Sequence, residues 1–355
     1  MVNNESTRFE FTQRELSATN DELLQRFQHF FITEGKKTAT YKFALLKSIL
    51  DNLVNVDIKV NKENRVVISF EALASKFAES YWNIVAIHHL KQGNMANGKT
   101  VAIEQGIYKI ISELNVESDI PRFENLNIIY KKKLEAYTKN NCFKYVLGAL
   151  CGDFEGLLYE FDKPKKYFAL SLRAYKFLWN HKTFIEECNY YCWAKYLENC
   201  NPSENTESIL TKLETSVPER TSLGIYKRLF AYYNYNICFY CGKLLKRDEE
   251  SYDVDHFIPW SFIKEDKLWN LVPSCKTCNQ KIKRAFLAPY DKLEVIVNRN
   301  DHLITAIDRD LDLNAQNRGL IIKAKNDFYS YRDGLLKDLY GYAQKCGYQS
   351  FDKKL

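Results

Sequence analysis

The sequence predicts a mostly α, multidomain fold in which helical regions flank one short segment of strands and turns. Three observations predict it. Apolar residues recur at helical spacing over much of the first 225 residues and again near the carboxy terminus. That period breaks between Ile237 and Tyr290. The 355 residues are enough for two or three domains with ample core. The divisions expected are 1–225, 226–298 and 299–355.

The amino-terminal region reads as a chain of helices. Thr38 stands as an N-cap before Leu46, Ile49, Leu50 and Leu53, which share one helix face. Val66-Val-Ile-Ser-Phe70 is a short β-like run. Leu73, Phe77, Tyr81 and Ile84 line a further helix, expected to end near Gly93. Helical segments are also expected at 101–115, 122–140, 172–180 and 182–199. Pro202-Ser-Glu-Asn-Thr206 marks a turn and a fresh helix start, and Ser222 caps a helix running to about Asn234. Beyond the break, one short helix is expected near Cys278, and helical text resumes after Asp301 through Ile321, Ile322, Phe328, Leu335 and Leu339. No internal repeat or low-complexity linker interrupts this order.

Composition narrows the function classes. Hydrophobic residues make up 46% and charged residues 27%, ordinary for a globular protein, and the 24 Tyr and 22 Phe imply aromatic-rich packing. A formal charge of +6 permits a nucleic-acid partner without requiring one. No run reaches the roughly 18 apolar residues of a membrane helix, and the amino terminus lacks the apolar core of a signal peptide. A cytoplasmic protein is therefore expected. Six of the ten cysteines (Cys142, Cys151, Cys188, Cys192, Cys200 and Cys346) then read as free packed thiols rather than disulfides.

The other four cysteines come in two pairs, Cys238-Phe-Tyr-Cys241 and Cys275-Lys-Thr-Cys278. A CxxC turn lets two thiolates reach one ion, so two pairs predict a tetrahedral structural Zn2+ site. The stretch between the pairs exceeds the roughly 15–20 residues of a plain four-cysteine site. It carries Asp253-Val-Asp255-His256-Phe-Ile-Pro259-Trp260 and Trp269-Asn270-Leu-Val-Pro273, and Asn279 follows the last cysteine.

These spaced elements, with Cys275-Lys-Thr-Cys278-Asn279-Gln-Lys281, resemble the HNH endonuclease family of the ββα-metal fold. The resemblance spans roughly 235–288. Its flanks, including Arg220-Thr-Ser-Leu and Ile258-Pro-Trp-Ser-Phe262, are similar to bacterial HNH proteins with a helical amino-terminal region. It implies that Asp255 is a carboxylate ligand to a catalytic divalent ion and His256 the general base. It also implies that Asn270 braces the loop, and that Asn279 is the second metal ligand at the start of the α element. Asparagine at 279 departs from the strict three-letter name of the family. Oxygen ligands suit Mg2+ or Mn2+. Asp255 and His256, adjacent on a strand, point to opposite faces, as an in-line attack across a phosphodiester needs.

Other residues weigh less. Asp253 shares a strand face with Asp255 but reads first as a surface salt bridge or turn residue. Trp260 and Trp269 read as packing for a small domain. Lys276, Lys281, Lys283 and Arg284 gather around the last cysteine and suit phosphate contact. Lys131-Lys-Lys133 and Lys165-Lys166 read as solvated surface. Gly35-Lys-Lys-Thr38 lacks the glycine and strand of a phosphate loop, and His29, His88, His89, His181 and His302 read as structural or surface. The expected function is hydrolysis of DNA in bacterial restriction or anti-phage defence. An RNA substrate, or a non-catalytic zinc module that binds nucleic acid, is the alternative. The helical region would dock a partner protein or regulate, and a homodimer would allow a double-strand break.

Overall fold

The computed structural model describes residues 6–32, 39–59, 64–93, 100–115, 119–216, 222–245, 252–281, 286–310 and 315–351. Two compact units divide the chain, Met1–Glu219 and Arg220–Leu355.

The first unit is mostly helical and also carries a five-stranded sheet. Its strands are β1 (Arg8–Phe9), β2 (Asp57–Lys59), β3 (Arg65–Val67), β4 (Tyr159–Asp162) and β5 (Tyr167–Ser171), in the order β1-β4-β5-β3-β2. All neighbours are antiparallel. Only β3 falls on a predicted β-like run. The hairpin β4–β5 is buried along nearly its whole length, and strands of four and five residues are too short to stand out by period in the sequence.

Helices α1 (Gln13–Ser17), α2 (Asn20–Ile32) and α3 (Tyr41–Asp51) lie between β1 and β2 in the chain, and α4 (Phe70–Trp82), α5 (Ala102–Leu114), α6 (Ile128–Tyr137) and α7 (Phe143–Asp153) between β3 and β4. Then come α8 (Leu172–Asn180), α9 (Lys182–Cys200) and α10 (Thr206–Thr215). Their starts follow from capping chemistry. Ser69, Ser171 and Asn205 each accept a backbone N–H from the first turn of α4, α8 and α10. The expected cap Thr38 lies outside the described residues, and α3 begins after Thr40. The helix expected to reach Gly93 ends earlier, because α4 widens into a π-turn over Asn83–Ile87. Buried α3 forms the centre, packed by α4, α7 and α9. The expected aromatic packing is present: Trp193 stacks on Phe43, and Tyr81 and Phe77 meet Trp193 and Phe143 edge-on.

The second unit opens with α11 (Gly224–Tyr232), whose first N–H groups include Gly224, bonded to the Ser222 hydroxyl. A hairpin of β6 (Tyr252–His256) and β7 (Leu271–Cys275) follows, antiparallel in the register Tyr252↔Cys275 to His256↔Leu271. The link between the strands carries α12 (Trp260–Ile263), and α13 (Lys276–Lys281) leaves β7 directly. Helices α14 (Leu293–Arg309), α15 (Ala315–Phe328) and α16 (Leu335–Lys345) complete the unit. Helical structure thus resumes at Leu293, ahead of the expected Asp301, because Pro289 and the turn at Tyr290–Lys292 already start it. Strand, strand and helix in this order make a small ββα element within a mostly α chain. No helix among the described residues is long and apolar enough to cross a membrane.

Candidate active site

The ββα element is closed at one end by sulfur. The Sγ atoms of Cys238, Cys241, Cys275 and Cys278 lie within 4.8 Å of one another, and those of Cys241 and Cys275 are 3.9 Å apart. A tetrahedron with Zn–S bonds of about 2.3 Å has edges of about 3.8 Å, so the cluster fits zinc. The first pair sits on a tight turn whose ends pair at Ile237 and Leu244. Cys238 accepts its turn bond from the N–H of Gly242 and donates to the carbonyl of Lys243. Gly242 has φ +72°, a conformation glycine adopts without strain. The Phe239 N–H reaches the carbonyl of Pro273 and ties this turn to β7. Burial pushes the Cys238 thiol up, but backbone N–H groups of Cys275, Cys241 and Tyr240 outweigh it and bring it down to about 7. Burial and the neighbouring thiols push the Cys278 thiol up instead, so the placement of the four sulfurs, rather than their acidity, is what fits zinc.

Asp255 and His256 end β6, and their side chains diverge as strand geometry requires. Asp255 Oδ2 accepts the Tyr240 hydroxyl at 2.7 Å, and Oδ1 accepts the N–H of His256 at 2.8 Å. Tyr240 lies inside the first cysteine pair and is buried, so the knuckle itself holds this carboxylate. Burial first, and then the charge of Asp255, push the Tyr240 hydroxyl well above its ordinary pKa, so it stays a donor. His256 turns instead to Asp266, with Nε2 2.8 Å from Oδ1. Both side chains are close to enclosed, at 9% and 13% exposure.

Asn279, in α13, donates its amide N–H to Asp253 Oδ2 at 2.9 Å. Asp253 and Asp255 are two residues apart on one strand face, a separation of about 7 Å along β6. The bond therefore brings the Asn279 side chain to the face that carries Asp255. It also corrects the reading of Asp253 as a surface ion pair or turn residue, since its partner is the α13 amide. With Nδ2 committed to Asp253, the amide oxygen is the group Asn279 has for a cation. A carboxylate and an amide oxygen are hard donors of the kind that Mg2+ or Mn2+ takes.

Asn270 is fully buried and braces the loop on both sides of its backbone. Its Oδ1 accepts the N–H of Ile258 at 2.9 Å, and its Nδ2 donates to the Ile258 carbonyl at 2.9 Å. Its own carbonyl accepts the N–H of Phe257 at 2.8 Å. The neighbouring turn is held by the helices that follow. Asn300 Nδ2 donates to the Trp269 carbonyl at 2.9 Å, and the Leu268 N–H reaches Asp327 at 3.1 Å. Arg299 points its guanidinium at the Leu268 and Trp269 carbonyls, and burial lowers its pKa to about 10.

Trp269 is buried and meets Tyr331, consistent with packing. Lys276 is exposed at the first turn of α13, whereas Lys283, Arg284 and the side chain of Lys281 lie outside the described residues. Lys132, Lys133 and Lys165 pair with Glu135, Glu113 and Asp162, as solvated surface lysines do. Gly35-Lys-Lys-Thr38 lies outside the described residues. All ten cysteines are free of disulfides. A cleft of about 1340 Å3 in the first unit is lined by Phe11, Arg65, Glu160 and Tyr167 among others. Its central charges are spent on each other: Glu160 accepts Arg65, Tyr167 and the Phe11 N–H.

Tyr240 and Asp266 are absent from the sequence-based site. Tyr240 reads as an interchangeable filler of CxxC, and Asp266 sits in the charged run Lys264-Glu265-Asp266-Lys267, which reads as exposed loop.

Residues 238–288 match a family model described as HNH endonuclease. Residues 21–148 match a domain of unknown function, DUF8808. No curated protein and no solved structure matches the chain. The matched segment in the second unit is thus similar to an HNH endonuclease domain and carries a four-cysteine cluster that fits zinc, and that similarity supports a nuclease acting on a nucleic acid.

Proposed function

We propose that the protein is a metal-dependent endonuclease that hydrolyses phosphodiester bonds in DNA at His256, Asp255 and Asn279. The observation that carries the reading is the Asn279–Asp253 bond, which brings the α13 amide to the strand face of Asp255 inside a segment matching HNH endonucleases. Asp255 and Asn279 would hold one Mg2+ or Mn2+. Bound there, the ion would neutralise charge on the scissile phosphate and the leaving oxygen. His256, on the opposite strand face, takes a proton from the attacking water, a role suited to imidazole near neutral pH. Asn270 fixes the backbone that follows His256, and the four-cysteine cluster, with zinc bound, would tie the Cys238–Cys241 turn to the end of β7 and the start of α13. Lys276, with Lys281, Lys283 and Arg284 beside it in sequence, positions the phosphate backbone without reading sequence.

Residues 1–225 are proposed as a regulatory or docking region for a partner protein or for DNA. Restriction or anti-phage defence in a bacterial cytoplasm is the proposed setting, with the helical region docking a separate sensor protein.

The test is a plasmid nicking and linearisation assay with Mg2+ or Mn2+, run on wild type and His256→Ala. Loss of a general base lowers the rate by about 10²–10⁴-fold, with zinc content unchanged. Equal product from both proteins removes His256 from the mechanism. Binding of DNA with no cleavage of DNA or RNA by wild type makes the element a non-catalytic zinc module.

A further inference from the structure

We infer that Asp266 is a positioning residue that fixes the tautomer of His256 and is itself held by helices α11 and α15. The inference rests on the reading of His256 as general base and adds what selects the reacting nitrogen.

A carboxylate only accepts hydrogen bonds, so the 2.8 Å contact to Asp266 Oδ1 requires a proton on His256 Nε2. A neutral imidazole carries one N–H, and Nδ1 then holds the lone pair. Nδ1 is therefore the nitrogen that can take a proton from water. Without a partner, the ring is free to populate both tautomers and to turn about its side-chain bonds. With both side chains nearly enclosed, the contact also holds the ring plane.

The carboxylate is in turn well anchored. Asp266 lies just after the left-handed residue Lys264 (φ +59°) that ends α12. Its carbonyl accepts the Tyr226 hydroxyl of α11 at 2.6 Å. That hydroxyl accepts Lys323 Nζ of α15 at 2.6 Å. Lys323 also pairs with Asp327, whose other oxygen takes the Leu268 N–H at 3.1 Å. The turn from Lys264 to Leu268 is thus pinned on both sides of Asp266 by one connected polar network. Three of its members, Tyr226, Lys323 and Asp327, lie outside the matched segment 238–288.

The experiment has two readouts. In protein labelled with 15N-histidine at alkaline pH, the His256 ring, assigned by its loss in His256→Ala, shows the Nε2–H tautomer in wild type. In Asp266→Ala it shows a mixture. In single-turnover cleavage, Asp266→Ala slows the chemical step at least about 10-fold, with the wrong-tautomer loss known for a serine protease triad, about 10⁴-fold, as the upper bound. Substrate affinity is unchanged. In a His256→Ala background the same change costs nothing further, because it acts through that ring. Asp266→Asn keeps the volume and serves where the alanine variant fails to fold by melting or zinc content. Tyr226→Phe gives a smaller loss than Asp266→Ala, with the tautomer shifted in the same direction. A wild-type tautomer and wild-type rate in both Asp266 variants overturn the inference. If wild type does not cleave at all, the nuclease reading fails, and the tautomer spectra alone decide the role of Asp266.

Discussion

Asn270→Ala removes a side chain that makes two hydrogen bonds to one buried residue. The substitution leaves the Ile258 N–H and carbonyl facing a space with no partner, while Ile258 itself has no exposed surface to recruit water. Each buried backbone group left unsatisfied costs about 1–3 kcal/mol, so the loss is about 2–6 kcal/mol. For a unit of about 130 residues the unfolding entropy is roughly 0.3 kcal/mol per kelvin, which converts the loss to a fall in Tm of roughly 7–20 °C. Differential scanning calorimetry on zinc-loaded protein reads this directly. The Phe257 N–H bond to the Asn270 carbonyl survives, because it is backbone to backbone. Cleavage should therefore fall more than melting alone explains when assayed well below Tm, since the segment following His256 loses its anchor. A change in stability below about 0.5 kcal/mol, smaller than one ordinary hydrogen bond contributes, would refute the account of Asn270 as the brace.

The other predictions address separate supports. Tyr240→Phe removes the hydroxyl that holds Asp255, so the Mg2+ or Mn2+ concentration for half-maximal cleavage should rise about 10–100-fold, as for lost partners of other metal ligands, with zinc content unchanged by elemental analysis. Cys278→Ser should abolish stoichiometric zinc and unfold the ββα element, seen as loss of bound zinc and of its cooperative melting transition. In the first unit, burial outweighs the N–H donors of Gln92 and Val101 and raises the Glu104 pKa. The folded state then binds that proton more tightly than the unfolded chain. Its contribution is full below the ordinary glutamate value and is lost as pH rises through the raised one. The stability of wild type relative to Glu104→Gln, followed by melting across that window, should fall as pH increases.

What the sequence exposes is chemistry at fixed spacing. Two CxxC pairs announce a common ion because thiolates have few other uses at that spacing, and the cluster within 4.8 Å bears this out. Helices α5 and α8 are legible from their 3.6-residue period, and α8 also from its capping Ser171. The five-stranded sheet is not, because its strands are only two to five residues long, too short to carry a recognisable period. The supports of the site are equally hidden. Asn279 meets Asp253 across 26 positions of sequence, and His256 meets Asp266 across ten. Only the fold sets such pairings, and a single aspartate in a charged loop looks the same whether it faces water or an imidazole.

These supports also explain why the segment matched as HNH endonuclease does not end the structural unit. A stretch as short as 238–288 buries too little apolar surface to hold buried polar groups in place by packing. The four-cysteine cluster closes one end, and through Tyr240 it reaches Asp255. Around Leu268, Trp269 and Ala288 the helices do the holding. Asn300 and Arg299 of α14 grip the Trp269 carbonyl, Asp327 of α15 grips the Leu268 N–H, and Tyr340 of α16 donates to the Ala288 carbonyl at 2.7 Å. A fragment cut to 238–288 would keep all four cysteines, Asp255, His256, Asn270 and Asn279, yet lose every one of these outer bonds. It should bind zinc at the stoichiometry of Arg220–Leu355 and cleave far more slowly, and equal cleavage by the two would show that the helices serve another purpose.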